Sequence, residues 1–257
     1  MKVVILAGGY GTRLAEHTSV IPKPMVEIGG KPMLWHIMNI YASQGYRDFV
    51  VALGYKGHVV KDYFLAYRSR QADFSLSMDS GEVEYLSKKS EHEDWHVTLV
   101  DTGTNVMTGG RLGRLREHLS NEAFMLTYGD GVADVNLVEL VKHHDQNRKT
   151  ATLTAVHPKA HYGELELEGS VVRQFLEKPQ FRQSWINGGF MVLEPEVLDC
   201  IRGDSSVLEI DILEHLSDTG QLAAYRHSGF WQCMDTVRDV KVLNDLCDSG
   251  NPPWMIK

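Results

Sequence analysis

Apolar positions along this chain follow two different periods, and the switches between them outline the elements. Val3 to Leu6 is an unbroken apolar run, as expected of a strand buried on both faces. Leu34, Ile37, Met38 and Tyr41 then recur at helical spacing, and Gly45 stands where such a helix would stop. Phe49 to Leu53 reads as a second strand, and Val60, Tyr63, Phe64 and Tyr67 mark the next helix. Ala123 to Thr127 is a strand running into Tyr128-Gly129-Asp130-Gly131. Leu137, Leu140, Val141 and His144 mark another helix, and Ala151 to Val156 another strand. A final helix starts near Thr236, with Val237, Val240, Leu243 and Cys247 facing inward. Strands alternating with helices predict parallel β-α-β units in an α/β fold. The alternation weakens twice. Residues 73–101 are polar and read as short strands or an excursion, and residues 160–192 as antiparallel strands joined by turns. No linker, repeat or low-complexity segment divides the chain, so a single domain over residues 1–257 is expected.

The first strand opens directly into Leu6-Ala7-Gly8-Gly9-Tyr10-Gly11-Thr12-Arg13-Leu14. Glycines let a backbone approach phosphate and turn N–H groups toward it, and loops at the carboxyl ends of parallel strands are where such sheets bind ligands. A dinucleotide fingerprint fits poorly: Leu14 takes the place of its third glycine, and no acidic residue closes the second strand at Leu53-Gly54. A P-loop is excluded, because Thr12-Arg13 rather than Lys followed by Ser or Thr comes after the last glycine. Two readings stay open: a tight structural turn, or a loop around a nucleotide and its phosphates with Arg13 as a bidentate partner. Ten residues on, Pro22-Lys23-Pro24-Met25 holds Lys23 in a stiff, non-helical segment. It is either a solvated turn lysine or a second phosphate clamp.

Other polar residues carry a similar choice. Asp130, between two glycines after an apolar strand, is a turn aspartate or a metal ligand. Asp235, before Thr236, caps the last helix or binds the same metal. Two carboxylates from distant positions suit Mg²⁺, which leaves its other positions to phosphate and water. Glu177-Lys178-Pro179 is a charged turn or an acceptor site, and Asn187-Gly188-Gly189 has the look of a hairpin turn.

The combination of the glycine loop through Arg13-Leu14 with Pro22-Lys23-Pro24 resembles the sugar nucleotidylyltransferase family. Pro24 to Met38, Met107-Thr-Gly-Gly-Arg111, Tyr128-Gly-Asp-Gly131, Ile186-Asn-Gly-Gly189 and Phe230-Trp-Gln-Cys-Met-Asp-Thr236 extend the resemblance over essentially the whole chain. It implies a Rossmann-like mixed fold with a mostly parallel sheet, helices on both faces and a small antiparallel sugar-binding part. It implies CTP and α-D-glucose 1-phosphate as substrates, CDP-glucose and pyrophosphate as products, and a place in making dideoxysugars of bacterial surface polysaccharide. The same chemistry with UTP or dTTP or with another sugar 1-phosphate, or a non-catalytic nucleotide-sugar sensor, stays open. By residue, the resemblance implies that Leu6, Ala7, Gly8, Gly9, Gly11, Thr12 and Arg13 hold the nucleotide. Lys23 contacts phosphate, and Thr108, Gly109 and Arg111 lie near base and ribose. Arg13, Lys23 and Asp130 are then the catalytic set, with Asp130 and Asp235 binding Mg²⁺. Gly129, Glu177, Lys178, Asn187 and Gly188 meet the sugar phosphate. Ile21 departs from the pattern, standing where relatives often carry another lysine.

Charge and composition narrow the partners. Lys and Arg number 26 against 34 Asp and Glu, a formal net charge of −8, so nucleic acid is not expected as a ligand. No apolar run is long enough for a membrane span, and Met1 to Leu6 is too short for a signal peptide. Cys200, Cys233 and Cys247 read as free thiols of a cytoplasmic protein. Family members commonly assemble, so a homo-oligomer is expected. His92 and His96, and His157 and His161, have metal-like spacing but no third ligand and are read as chance pairs. Trp254 is expected to pack on the body or on a neighbouring subunit.

Overall fold

The computed structural model describes residues 1–86, 94–119, 122–158, 164–176 and 184–255. Its centre is an eight-stranded mixed sheet. The strands are β1 (Val3–Ala7), β2 (Asp48–Leu53), β3 (His96–Asp101), β4 (Phe124–Tyr128), β5 (Ala151–Val156), β6 (Ile186–Asn187), β7 (Met191–Leu193) and β8 (Leu222–Arg226). β1 lies between β2 and β4, parallel to both, with Ile5 level with Val51 on one side and Thr127 on the other. β3 continues the parallel run beyond β2. On the other side β7 runs antiparallel to β4 and to β5, and β8 lies parallel to β5.

A strand buried on both faces sends alternate side chains into separate cores. Val3, Ile5 and Ala7 enter one hydrophobic cluster with helix α1 (Met33–Ala42), whereas Val4 and Leu6 enter another with Leu112, Leu208 and Ile212. The further helices α2 (Gly57–Leu65), α3 (Thr108–Gly113), α4 (Leu137–Asn147) and α5 (Val237–Asp248) complete the α/β arrangement. Among the described residues, no helix is long and apolar enough to cross a membrane.

The pattern-based elements recur with shifts of a residue or so at their ends, and four readings change. Residues 73–101 hold a small hairpin (Phe74–Leu76 with Val83–Tyr85), but they also hold β3, a full member of the main sheet. β3 mixes Val97, Leu99 and Val100 with polar residues, as an outer strand whose side chains are only half covered can. β8 and a wide π-helical turn over Leu208–Glu214 had no clear periodic signal. Val237 is 43% exposed rather than inward, while Val240 and Leu243 are buried. Asn187-Gly188-Gly189 is not a hairpin turn. β6 and β7 are two stretches on the same neighbour, β5, separated by Gly188–Phe190. Gly189 and Phe190 both have positive φ, +76° and +44°. Phe190 tolerates this rare backbone because its ring is fully buried and stacked on Tyr41. The break leaves the Asn187 amide free to donate to the Tyr128 hydroxyl at 3.2 Å.

Two terminal features are also settled. Trp254 packs on the body: it is fully buried, stacks on Phe230 and donates to His36 Nδ1 at 3.2 Å. His157 packs against Trp185 with the rings tilted by 36°, while His92 and His161 lie outside the described residues.

Helix α5 begins in a capping box. The Thr236 hydroxyl accepts from the Asp239 N–H, and the Asp239 carboxylate accepts from the N–H groups of Thr236 and Asp235. The cap is therefore Thr236 with Asp239, which leaves the Asp235 side chain for other partners. Thr236→Ala should lower stability by about 1 kcal/mol, read as a fall in the denaturant midpoint with an unchanged slope.

Candidate active site

At the carboxyl end of β1 the chain leaves the sheet through Gly8 to Gly11 and closes into a 3₁₀ turn over Thr12–Leu14. Gly11 has φ +63°, and a Cβ there would press on Thr18 and Lys23. Leu14 is buried and anchors the far end of the loop. The loop forms one wall of a cleft of about 560 Å³. Leu6 to Gly9, Gly11 to Arg13, Lys23, Thr108 and Arg111 all line it, as does Gly129. Gly109 does not. It packs inside α3, where a Cβ would lie 2.8 Å from the Ser206 carbonyl. Gly129, grouped from sequence with the acceptor residues, lies in the wall of this larger cleft, against the Leu6 carbonyl and Pro24.

A second cavity, about 270 Å³, adjoins the first. Asn187, Gly188, Trp231 and Asp235 line it, and it shares Arg13, Tyr128 and Asp130 with the larger cleft. Ribbon pairing explains how its acidic residues meet. Gly131–Ala133 runs antiparallel to Trp231–Cys233, and the Met234 N–H donates to the Asp130 carbonyl at 2.8 Å. Asp130 and Asp235, remote in sequence, are thereby neighbours.

Lys23 sits between them. Its Nζ donates to Asp130 Oδ2 at 2.6 Å and to Asp235 Oδ1 at 2.7 Å, while Arg13 Nη1 donates to Asp235 Oδ2 at 2.9 Å. The 3₁₀ turn at Lys23–Met25, entered from an extended Pro22, points the lysine inward, and its side chain is only 12% exposed. Burial by itself pulls the Lys23 ammonium down in pKa, but the paired charges and hydrogen bonds of Asp130 and Asp235 leave it above the ordinary lysine value. Burial pushes the Asp235 carboxyl up. The hydrogen bond and charge of Lys23, with Arg13 and Cys233, more than offset this and hold it below the ordinary carboxylate value. Burial, and then the charge of Asp130, push the Cys233 thiol well up, so it stays protonated.

Asp130, Cys233 and Asp235 bring one potential ligand atom each within 4.8 Å of one another. Two carboxylates suit a hard divalent cation, and a protonated thiol does not add a ligand for one. The Lys23 ammonium already demonstrates that the pair accepts positive charge.

The pattern of the chain left further residues unmarked. The Glu209 carboxylate accepts from the Tyr128 hydroxyl at 2.7 Å and from the Thr108 hydroxyl at 2.9 Å. Burial, with Glu209 next, raises the Tyr128 phenol well above its ordinary value, so it remains a donor. Glu209 lies in the π-helical turn, where no periodicity signals a site. Trp231 and Cys233, on the short ribbon beside Asp235, also line the smaller cavity. Glu177 and Lys178 lie outside the described residues.

A nucleotidyl transferase family model matches residues 2–241, almost the whole chain. The chain belongs to the nucleotidyl transferase family. A glucose-1-phosphate cytidylyltransferase of Salmonella typhi is 49% identical over 255 residues, covering 99% of this chain and 98% of its own. A probable glucose-1-phosphate cytidylyltransferase of Bacillus subtilis (strain 168) is 40% identical over 257 residues and covers both chains fully. The crystal structure of HddC from Yersinia pseudotuberculosis, at 23% identity and a TM-score of 0.69, covers 95% of this chain and 98% of its own. That likeness supports the mixed α/β architecture of this nucleotidyl transferase.

The charge cluster has a pH signature. A depressed Asp235 contributes stability above the ordinary carboxylate range and loses it as pH falls through its lowered value. In Lys23→Met the main opposing cation is gone, so the Asp235 titration should move upward. Acid unfolding should then begin at higher pH than in the parent. Carboxyl NMR titration and acid denaturation curves would show both shifts.

Proposed function

We propose that this nucleotidyl transferase moves a cytidylyl group from CTP to α-D-glucose 1-phosphate, giving CDP-glucose and pyrophosphate for nucleotide-sugar and surface-polysaccharide synthesis. The observation that carries the reading is the meeting of two cavities at Arg13, Tyr128 and Asp130, beside the Lys23–Asp235 pair. The identity to named cytidylyltransferases supports the choice of CTP and glucose 1-phosphate.

The larger cleft holds the nucleotide, with the glycine loop, Arg13 and Lys23 on its phosphates and Thr108 toward base and ribose. The smaller cavity takes the acceptor, beside Asn187 and Gly188, and the family resemblance assigns Glu177 and Lys178 to the same sugar phosphate. The acceptor phosphate is already ionised near neutral pH. One of its oxygens attacks the α-phosphorus, a new P–O bond forms, and the bond to pyrophosphate breaks with its electron pair on the leaving oxygen. No protein nucleophile is needed, and the neutral Cys233 thiol is unsuited to be one. The residues align two anions and offset their charge. Arg13 and Lys23 stabilise the departing pyrophosphate. Asp130 and Asp235 are the residues that would hold Mg²⁺, which when bound supplies charge neutralisation at the phosphates. We place the enzyme in the cytoplasm as a homo-oligomer. Its three cysteines are free, and Phe74, Leu76 and Met78 expose apolar surface on one hairpin.

Pyrophosphate release, measured with Mg²⁺, glucose 1-phosphate and each of CTP, UTP, dTTP, ATP and GTP in turn, should be largest with CTP. Greater release with another nucleotide would keep the chemistry and replace the named substrate. Silence with all five would refute the reading. Asp130→Ala should lower kcat by about 10²-fold or more while the thermal melt stays cooperative. Near-normal turnover would remove Asp130 from the site.

A further inference from the structure

Glu209 lines neither the larger cleft nor the smaller cavity, yet a chain of hydrogen bonds runs from it to both. A carboxylate only accepts, and this fixes the direction of every bond that follows. The Tyr128 hydroxyl has one proton, which makes its bond to Glu209 Oε1 at 2.7 Å. Its oxygen is left to accept, and it does so from Asn187 Nδ2 at 3.2 Å. From the other end, Asn187 Oδ1 accepts from the Gly189 N–H at 2.9 Å. Turned end for end, the amide would set donor against donor at Gly189 and oxygen against oxygen at Tyr128.

Both ends of this chain are held. Glu209 Oε2 accepts from the Thr108 hydroxyl at 2.9 Å, and the Thr108 oxygen accepts from the Leu208 N–H at 2.9 Å. Each carboxylate oxygen thus has a partner. Beside Asn187, the Gly188 N–H donates to the Thr154 carbonyl at 2.8 Å, and the Gly188 carbonyl accepts from Trp231 Nε1 at 2.8 Å. With that backbone pinned, the adjustable part is the Asn187 side chain, and Tyr128 and Gly189 set it. Asn187 lines the smaller cavity, with one Nδ2 hydrogen and one Oδ1 lone pair left for the occupant. A sugar hydroxyl both donates and accepts, so it matches that edge.

We propose that Glu209, acting through Tyr128, is a positioning residue that sets the Asn187 amide to read one hydroxyl of the acceptor sugar. This rests on the smaller cavity taking the sugar phosphate. The substrate class it selects is a sugar 1-phosphate that carries the hydroxyl, because a deoxy sugar leaves the amide half satisfied.

The test compares the parent with Asn187→Ala, Tyr128→Phe and Glu209→Leu. Pyrophosphate release with Mg²⁺ and CTP gives kcat and KM for glucose 1-phosphate and for its 2-, 3-, 4- and 6-deoxy analogues, and each variant is melted thermally. In the parent, one analogue should be disfavoured by about tenfold or more in kcat/KM. In all three variants that penalty should shrink to about twofold or less, because glucose 1-phosphate loses a contact that the analogue never had. KM for glucose 1-phosphate should rise in each, while KM for CTP in Tyr128→Phe stays within about twofold of the parent. A parental penalty in Glu209→Leu, a uniform fall in kcat for all five sugars, or a parent that penalises none of the analogues would each overturn the proposal. A parent that uses none of the five sugars would refute the functional reading instead. If Glu209→Leu does not fold, Tyr128→Phe, which keeps the ring and the bond between Glu209 and Thr108, decides the question.

Discussion

Two carboxylates cannot be held side by side in a half-buried place unless a cation stands between them, and here that cation is the Lys23 ammonium. Much of the architecture serves this contact. The proline-flanked turn points Lys23 inward, and the β4 exit delivers Asp130. The short ribbon of Gly131–Ala133 and Trp231–Cys233 carries Asp235 to within reach. The capping box at Thr236 and Asp239 satisfies the backbone around Asp235 and leaves its carboxylate for Lys23 and Arg13. The arrangement gathers two cations and two carboxylates where the two cavities adjoin, in a chain of formal net charge −8.

A second layer of polar contacts orients the walls around this centre. Glu209 accepts hydrogen bonds from the hydroxyls of both Thr108 and Tyr128, and Asn187 donates to Tyr128. Tyr128 borders both cavities, so its orientation shapes both together. Such connected networks rigidify a site when every member is paired. Under the glycine loop the Arg111 Nη groups donate to the Thr102 hydroxyl and to the carbonyls of Gly8, Leu53, Gly103 and Thr104.

Legibility in the sequence varied with the reach of the signal. The glycine loop, the Pro22-Lys23-Pro24 turn and the Asp130 turn are local, and the structure brings their polar groups to one place. The helices over Met33–Ala42 and Leu137–Asn147 announced themselves through periodicity because one face packs against the sheet. β3 escaped because an outer strand is half solvated and carries no clean apolar pattern. The Asn187-Gly188-Gly189 run was legible as a glycine-rich break, but composition cannot tell a turn between strands from an interruption within one. The surroundings of Gly109 and Gly129 were hidden for a related reason: a glycine marks close approach without saying what approaches.

The sequence by itself determined the α/β class, the order of most elements, the glycine loop and the residues able to neutralise phosphate. These depend on periodicity, backbone freedom and side-chain charge, which are properties of single residues and their near neighbours. Only the tertiary structure decided that Lys23 bridges Asp130 and Asp235, that Glu209 commands Thr108 and Tyr128, and that Arg111 donates to carbonyls at three strand ends. Each of those facts is a distance between residues far apart in the chain. Such distances follow from strand pairing and core packing, and no local pattern encodes them.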